Sequence, residues 1–301
     1  MRRPHGRAVV RVLIVGAGSI GSRRARLLAE MGHEVTLYDL DQTRASCAAG
    51  GAGCAVWDQE GRRSPFGPNG EPWSGRWQFD AAFVCTPADT HIRMANHCIS
   101  AGWRGLFIEK PLSTSMDGIP ELIAECEARG VVTMGACNMR WAYPRTHELW
   151  PRVSIEDSRP LDDWRPGARD AYGQSGIVLE AGIHWLDLAA ALIGRIEEVE
   201  LEAEGCDDDH IRLLARHAHR SATILLDWRP TAPTVREVIV SGRGARRVLF
   251  PDWSDEMYRS EMAHFLAHVE SGTATTNPIA NAAETLRWAL KARDMCRAVA
   301  A

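Results

Sequence analysis

Short apolar runs alternate with helical spacing through the first half of the chain. Residues 9–15 form a β-branched run, which predicts a strand buried on both faces, and residues 22–31 have the spacing of a helix that Gly32 ends. Further strands are predicted at 35–38, 81–86, 106–108 and 131–135, and further helices at 92–100 and 115–129. Strands that alternate with helices indicate βαβ units and a parallel sheet.

The pattern changes after about residue 140. A helix is predicted at 184–193, and three closely spaced strands at 223–229, 237–241 and 246–250 favour an antiparallel sheet, followed by helices at 256–270 and 282–299. We therefore predict an α/β protein with two domains. The first domain, 1–138, contains the parallel sheet, and a Gly- and Pro-rich surface excursion interrupts it at 61–76. The second, 139–301, is an α+β domain whose mostly antiparallel open sheet is covered by helices on one face.

Composition excludes several classes of protein. The 301 residues are 45% hydrophobic and 25% charged, as in ordinary globular proteins, and a length near twice 150 fits two domains. A net charge of −4 argues against a positively charged surface that would bind nucleic acid. No apolar stretch approaches the ~18 residues needed to span a membrane. The eight cysteines include no C-x-x-C pair, so we expect reduced thiols and a cytoplasmic protein.

Lysine is scarce in this chain. Lys and Arg together number 35, but only Lys110 and Lys291 are lysines. A lysine that persists among so many arginines is a candidate for a role that arginine cannot fill, because arginine is bulkier and does not readily give up a proton.

A glycine loop follows the first predicted strand. In Gly16-Ala17-Gly18-Ser19-Ile20-Gly21, the first glycine permits a tight turn, the second lets the backbone approach a pyrophosphate, and the third allows close helix–strand packing. Asp39 ends the next strand and can accept hydrogen bonds from ribose hydroxyls. Its charge favours NAD over NADP, although Arg44 leaves NADP as an alternative. The first domain is therefore predicted to be a Rossmann dinucleotide-binding domain.

Two further motifs carry candidate chemistry. Glu109-Lys110-Pro111 ends a predicted parallel strand, where ligands bind, and a lysine there could donate to a substrate oxygen. Glu180 and His184 are four residues apart, so on a helix they share a face, with Asp187 three residues further on. A carboxylate beside a histidine can orient the ring and raise its pKa, which suits proton transfer near neutral pH.

Taken together, these motifs resemble the Gfo/Idh/MocA (glucose–fructose oxidoreductase / inositol dehydrogenase) family. The glycine loop, CTPADTH at 85–91 and EKP at 109–111 match the first half of the family pattern. GACNMRW at 135–141, DWR at 163–165, SGIVLEAGIHWLD at 175–187 and EMAHFLAHVESG at 261–272 resemble the second half. Each motif alone is weak to moderate, but their order and spacing are specific.

The resemblance implies a catalytic trio of Lys110, Glu180 and His184, with Glu180 in place of the more common Asp. It implies a cofactor site made of Gly16, Gly18, Ser19, Ile20, Gly21, Asp39, Thr86, Pro87, His91, Glu109 and Lys110. Substrate is expected to contact Arg140, Trp141, Trp164, Arg165 and His184.

The resemblance also implies a reaction. We expect an NAD(P)-dependent dehydrogenase or ketoreductase that transfers a hydride between nicotinamide and a CH–OH group of a sugar, cyclitol or activated sugar, in a biosynthetic setting. The alternatives are a reductase of the same fold acting on a non-sugar C=N or C=C bond, and a dinucleotide-binding sensor without catalysis. A homodimer or homotetramer is expected. No metal is expected, because His264 with His268, His217 with His219, and the acidic run 207–210 lack the ligand set of a zinc site.

Overall fold

The computed structural model describes residues 9–57, 79–143, 148–164, 176–202, 209–242 and 244–300. The strands are β1 Arg11–Val15, β2 Glu34–Tyr38, β3 Ala55–Val56, β4 Ala81–Val84, β5 Gly105–Ile108, β6 Val132–Gly135, β7 Arg152–Ser158, β8 Glu198–Glu202, β9 His210–His217, β10 Arg220–Asp227, β11 Val235–Gly242 and β12 Ala245–Leu249. The helices are α1 Ser19–Glu30, α2 Gln42–Ala52, α3 His91–Ser100, α4 Ile119–Ala128, α5 Met139–Ala142, α6 Leu161–Trp164, α7 Ile183–Ile193, α8 Glu256–Ser271 and α9 Ile279–Ala300.

The chain forms two compact units. The first comprises Met1–Ala136 and Asp255–Ala283, and the second comprises Cys137–Ser254 and Glu284–Ala301. Each unit is thus built from two segments of the chain, whereas the sequence predicts one boundary after residue 138. The chain returns to the first unit with α8, which contacts β5 and β6.

The first unit contains the predicted parallel sheet. Its strand order is β3-β2-β1-β4-β5-β6, and each described pair is parallel. Successive side chains of a strand point to opposite faces, and all residues of β4, β5 and β6 are buried, so both faces of the sheet are covered. This confirms the parallel, doubly covered sheet that the apolar runs predicted.

The second unit contains a six-stranded sheet in the order β12-β11-β7-β10-β9-β8. β7 and β10 pair in parallel, and the other neighbours are antiparallel. Burial alternates along these strands. Val153 and Ile155 in β7 and Val238 and Val240 in β11 face the core, and α7 packs against β7, β9 and β10. The mostly antiparallel open sheet of the prediction is confirmed.

Some boundaries differ from the prediction for local reasons. The helix expected at 115–129 begins at Ile119, because Gly118 adopts a φ of +72° and Pro120 suits a first helical turn. Helices α2, α5 and α6 and strands β3, β7, β8 and β9 were not predicted, although the residues of β7 to β9 show period-two alternation. The excursion expected at 61–76 lies outside the described residues. Within the described ranges, no helix is long and apolar enough to cross a membrane.

Candidate active site

The candidate cofactor residues follow three adjacent strands of the parallel sheet. β1, β4 and β5 are neighbours, with Val15 beside Val84 and Val84 beside Ile108. The glycine loop follows β1, Thr86 follows β4, and Glu109 and Lys110 follow β5. The strand order reverses between β1 and β4, and such a switch point at the carboxyl ends of the strands is where open parallel sheets bind ligands.

The geometry of the glycine loop fits a dinucleotide pyrophosphate. Gly16 has a φ of +102°, and a Cβ there would lie 2.6 Å from the carbonyl oxygen of Cys85. A Cβ on Gly21 would lie 1.9 Å from the carbonyl oxygen of Gly16, so this glycine permits the close approach of α1 to the loop. A Cβ on Gly18, by contrast, would meet nothing within 4 Å. Gly18 therefore opens onto space at the start of α1, where backbone N–H groups and the helix dipole favour phosphate.

Asp39 is fixed at the end of β2 by the loop it faces. Its carboxylate accepts the N–H of Ala17 at 2.7 Å and that of Asp41 at 2.8 Å. Arg44 lies 3.6 Å from the same carboxylate and 3.4 Å from that of Asp41. Each carboxylate oxygen has a second acceptor position, so Asp39 can still accept from a ribose hydroxyl.

His91 lies behind the loop after β4. Its ring is buried, with Nδ1 2.9 Å from the carbonyl oxygen of Pro111 and Nε2 2.7 Å from that of Thr86. Burial lowers the pKa of His91, although both carbonyls and Glu109 favour the charged form. Both ring nitrogens thus face the backbone, and His91 joins the segment after β4 to the segment after β5. His91 is one of the residues predicted for the cofactor site, and its ring nitrogens connect two segments that carry other predicted cofactor residues.

The carboxylate of Glu109 is part of a buried ionic cluster with Arg24 and Glu261. Its Oε1 accepts a short hydrogen bond from Nε of Arg24 in α1, and its Oε2 lies 3.3 Å from the backbone nitrogen of Lys110. Arg24 also donates through Nη2 to Glu261 of α8 at 2.8 Å. Burial acts to lower the pKa of Arg24, but the two carboxylates outweigh it and hold the pKa above its ordinary value. Lys110 itself is half-buried, and its peptide bond to Pro111 is cis.

In the second unit, the segment with Glu180 and His184 is not one regular α-helix. Val178–Gly182 forms a π-helical turn that leads directly into α7. Both Glu180 and His184 are half-buried. Single π-helical turns inside helices are frequent at functional sites, because the extra residue re-aims the side chains around it.

Cys137 lies beside the candidate base. Its Sγ is 3.9 Å from Nδ1 of His184 and 3.9 Å from the His184 carbonyl oxygen. Since Nδ1 faces the sulfur, Nε2 is the ring nitrogen on the opposite side. Cys137 was not among the predicted site residues, because nothing in its spacing along the chain points to His184, which lies 47 residues away.

Among the predicted substrate residues, the structure describes the side chains of Arg140 and Trp141 in addition to that of His184. Arg140 in α5 donates through Nε and Nη2 to the carboxylate of Asp187, which is 2% exposed. Burial acts to lower the pKa of Arg140, but Asp187 outweighs it and raises the pKa. The fork of Arg140 is thus held by the last residue of the EAGIHWLD motif. Trp141 is half-buried. Arg165 lies outside the described residues, and so does the side chain of Trp164.

His264 and His268, one of the two histidine pairs, have structural partners. His264 accepts the N–H of Thr276 at 3.1 Å, and His268 lies 2.6 Å from the hydroxyl of Thr273. Within the described residues, no group of three or more His, Cys, Asp or Glu side chains could hold a metal ion. Asp207 and Asp208 lie outside this part of the chain.

The fold and the loop geometry define a dinucleotide-binding Rossmann unit joined to an α+β unit, and comparisons with known proteins agree. Residues 10–136 match the Gfo/Idh/MocA family model, described as "Oxidoreductase family, NAD-binding Rossmann fold". The match assigns residues 10–136 to this family of NAD-binding oxidoreductases, in agreement with the resemblance of their motifs. No curated protein sequence matches the chain.

Solved structures share the fold over nearly the whole chain. UDP-N-acetylglucosamine 3-dehydrogenase GnnA from Acidithiobacillus ferrooxidans is 17% identical, with a TM-score of 0.76 over 96% of this chain and 98% of that one. A putative myo-inositol dehydrogenase from Sinorhizobium meliloti 1021 is 20% identical, with the same TM-score and coverage. An oxidoreductase from Agrobacterium radiobacter, in complex with NAD+, L-tartaric acid and magnesium, is 15% identical, with a TM-score of 0.74 over 96% and 97%.

Proposed function

We propose that this protein is an NAD-dependent dehydrogenase or ketoreductase acting on a CH–OH group, or the corresponding ketone, of a sugar, cyclitol or activated sugar. The observation that carries the proposal is the switch point of the parallel sheet. There the open Gly18 position, Asp39 and Lys110 follow strands of one sheet at their carboxyl ends. Membership in an NAD-binding oxidoreductase family supports the class of reaction.

The choice of polyol substrates is supported by the structures that share this fold. Their descriptions name a UDP-sugar dehydrogenase and a putative myo-inositol dehydrogenase. The motif resemblance points in the same direction.

The glycine loop and α1 would hold the pyrophosphate of NAD through the N–H groups of Ser19, Ile20 and Gly21. The carboxylate of Asp39 would accept from the adenosine ribose and repel a 2′-phosphate. Thr86 and Pro87 would border the nicotinamide ribose. When bound, NAD supplies the hydride acceptor for alcohol oxidation and, as NADH, the donor for ketone reduction.

The side chains of the protein move and hold the proton. His184 takes the hydroxyl proton at Nε2, the nitrogen opposite the one that faces Cys137, or returns it in the reductive direction. As the motif resemblance implies, Lys110 would donate from Nζ to the substrate oxygen and stabilise its developing negative charge. Glu180, four residues before His184, would stabilise the protonated ring through its negative charge.

Two substitutions test this mechanism. Lys110→Met and His184→Asn should each lower kcat by about 10²–10⁴-fold, the range for loss of a positioned acid–base group. NAD binding, measured by calorimetry, should stay near that of the wild type. Lys291→Met is the matched control, because Lys291 is the other lysine of the chain and lies on α9 beside Trp288. Full turnover in both the Lys110 and the His184 variants would contradict the mechanism.

The substrate class needs a separate experiment. A panel of cyclitols, aldoses, sugar acids and UDP-sugars, followed at the NADH absorbance, should yield at least one substrate. NADH binding without turnover on this panel, but with turnover of imines or enones, would favour the C=N or C=C reductase. Binding without any turnover would favour the sensor.

A further inference from the structure

Arg24 is the most deeply buried arginine among the described residues. Its side chain is 1% exposed, and its guanidinium lies 4.5 Å from the centre of the Phe107 ring and 5.4 Å from that of Tyr258. It bonds Glu109 at the end of β5 and Glu261 in α8, which is 0% exposed. Three segments that are distant in sequence therefore meet at one guanidinium.

The charges of this cluster are constrained. One guanidinium faces two buried carboxylates, with the buried Cys85 thiol near them. A buried ion pair of this kind adds little net stability compared with apolar residues of the same volume, because removing the charges from water is costly. Stabilisation of the fold therefore explains the cluster poorly, and the positions that it imposes on its residues explain it better.

That geometry points to the candidate catalytic lysine. Arg24 holds Oε1 of Glu109, and Oε2 of the same carboxylate lies 3.3 Å from the backbone nitrogen of Lys110. At its other end, Arg24 lies five residues after Ser19 in α1, or about 7.5 Å along the helix axis. The side chain thus connects the helix that begins at the pyrophosphate cradle to the segment that carries Lys110.

We propose that Arg24, supported by Glu261, is a positioning residue that fixes Lys110 relative to the glycine loop. The inference rests on the proposed function for the role of Lys110, but its geometry does not. A shift of about 1 Å in a catalytic group can cost on the order of 10²-fold in rate. Loss of Arg24 should therefore lower kcat much more than it weakens NAD binding.

The test uses Arg24→Met, Arg24→Lys and Glu261→Gln in the full-length protein. Arg24→Met keeps an unbranched side chain and removes the hydrogen bonds to both Glu109 and Glu261. Arg24→Lys keeps the positive charge but loses the planar guanidinium that reaches both carboxylates. Glu261→Gln removes the negative charge of the carboxylate on α8. Arg26→Met is the matched control, because Arg26 lies on the same helix, has a side chain that is 39% exposed, and pairs with Glu30 and Asp255.

The scarcity of lysine provides a readout that does not depend on activity. Reductive methylation with ¹³C-formaldehyde labels Lys110, Lys291 and the N-terminus, so the carbon–proton NMR spectrum holds few lysine signals. Lys110→Arg assigns the Lys110 signal by its loss. The Lys110 signal should shift in Arg24→Met and Glu261→Gln, while the Lys291 signal stays in place and Arg26→Met moves neither.

Kinetics complete the test. Arg24→Met should lower kcat about ten- to a hundredfold, with the Kd for NAD changed by less than about threefold, and Arg24→Lys should recover part of the loss. If Arg24→Met does not fold, Glu261→Gln carries the test alone. An unmoved Lys110 signal and wild-type kcat in the folded variants overturn the inference. A moved signal in a protein that turns over no polyol leaves the positioning role intact and refutes the proposed function instead.

Discussion

Two glycines of the loop, three residues apart, should respond to alanine in opposite ways. In Gly21→Ala, the new methyl group would lie 1.9 Å from the backbone oxygen of Gly16, where ordinary contacts begin near 3.4 Å. The helix or the loop must therefore move by more than 1 Å. In Gly18→Ala, the methyl group would meet nothing within 4 Å, and the φ of −67° suits alanine.

The two substitutions should therefore separate folding from binding. Overpacking of the Gly21 kind costs about 1–3 kcal/mol, which lowers Tm by roughly 2–5 °C for a 301-residue chain with an unfolding entropy of about 2.1 cal/mol/K per residue. For Gly18→Ala, the smaller entropy of the unfolded chain and the poorer helix cap nearly cancel, so the free energy of unfolding should change by less than about 0.5 kcal/mol. The methyl group would instead occupy the space proposed for the pyrophosphate. The Kd for NAD should then rise at least about tenfold, equivalent to about 1.4 kcal/mol.

Thermal unfolding without cofactor and calorimetric titration with NAD measure these two quantities independently. Gly50→Ala is a control, since a Cβ there also meets nothing within 4 Å and Gly50 lies on α2, away from the loop. Wild-type NAD affinity in Gly18→Ala would refute the assignment of the pyrophosphate cradle. An unchanged Tm in Gly21→Ala would refute the close approach of α1 to Gly16.

Three further predictions follow from buried polar groups. Asp187→Asn leaves the guanidinium of Arg140 without its charged partner, so the free energy of unfolding in urea should fall by about 3–5 kcal/mol. Its control, Glu284→Gln at the exposed pair with Arg195, should lower it by less than about 1 kcal/mol. Equal losses in the two variants would contradict this prediction. Burial lowers the pKa of His91, so as pH falls the unfolded chain takes up a proton before the folded chain does, and stability should fall below about pH 6.5. The difference in Tm between pH 7.5 and 5.5 should therefore be smaller in His91→Gln than in the wild type. A difference equal to that of the wild type would exclude His91 as its source. Asp39→Ser should reduce the preference for NAD over NADP in calorimetry, and a wild-type preference for NADP would show the cofactor assignment to be wrong.

Local sequence determines the parts of this protein that depend on short-range physics. The glycine loop could be predicted from the sequence, because each of its three glycines is needed for a local reason at a fixed spacing. Gly16 forms a tight turn, Gly18 leaves space for a phosphate, and Gly21 lets the helix pack closely against the loop. The parallel sheet was equally visible, since strands buried on both faces read as continuous apolar runs. Strands β7 to β9 are buried on one face only, so they show alternation instead of apolar runs, and that weaker pattern was not included in the prediction.

Tertiary packing decides what the charged side chains of the candidate site do. Arg24 reads as one arginine among several on an amphipathic helix, and its partner Glu261 lies 237 residues away. Arg140 was predicted as a substrate residue from its position after a strand, and only the folded structure shows that Asp187 binds its guanidinium. His91 was predicted as a cofactor residue, and only the folded structure shows that both its ring nitrogens face backbone carbonyls. A long polar side chain can reach several partners from one backbone position, so its role is fixed only when the chain brings one of them within hydrogen-bonding distance in a buried environment. The sequence alone therefore determined where the dinucleotide loop and the candidate lysine stand along the chain, and the folded structure decided which buried charges hold them in place.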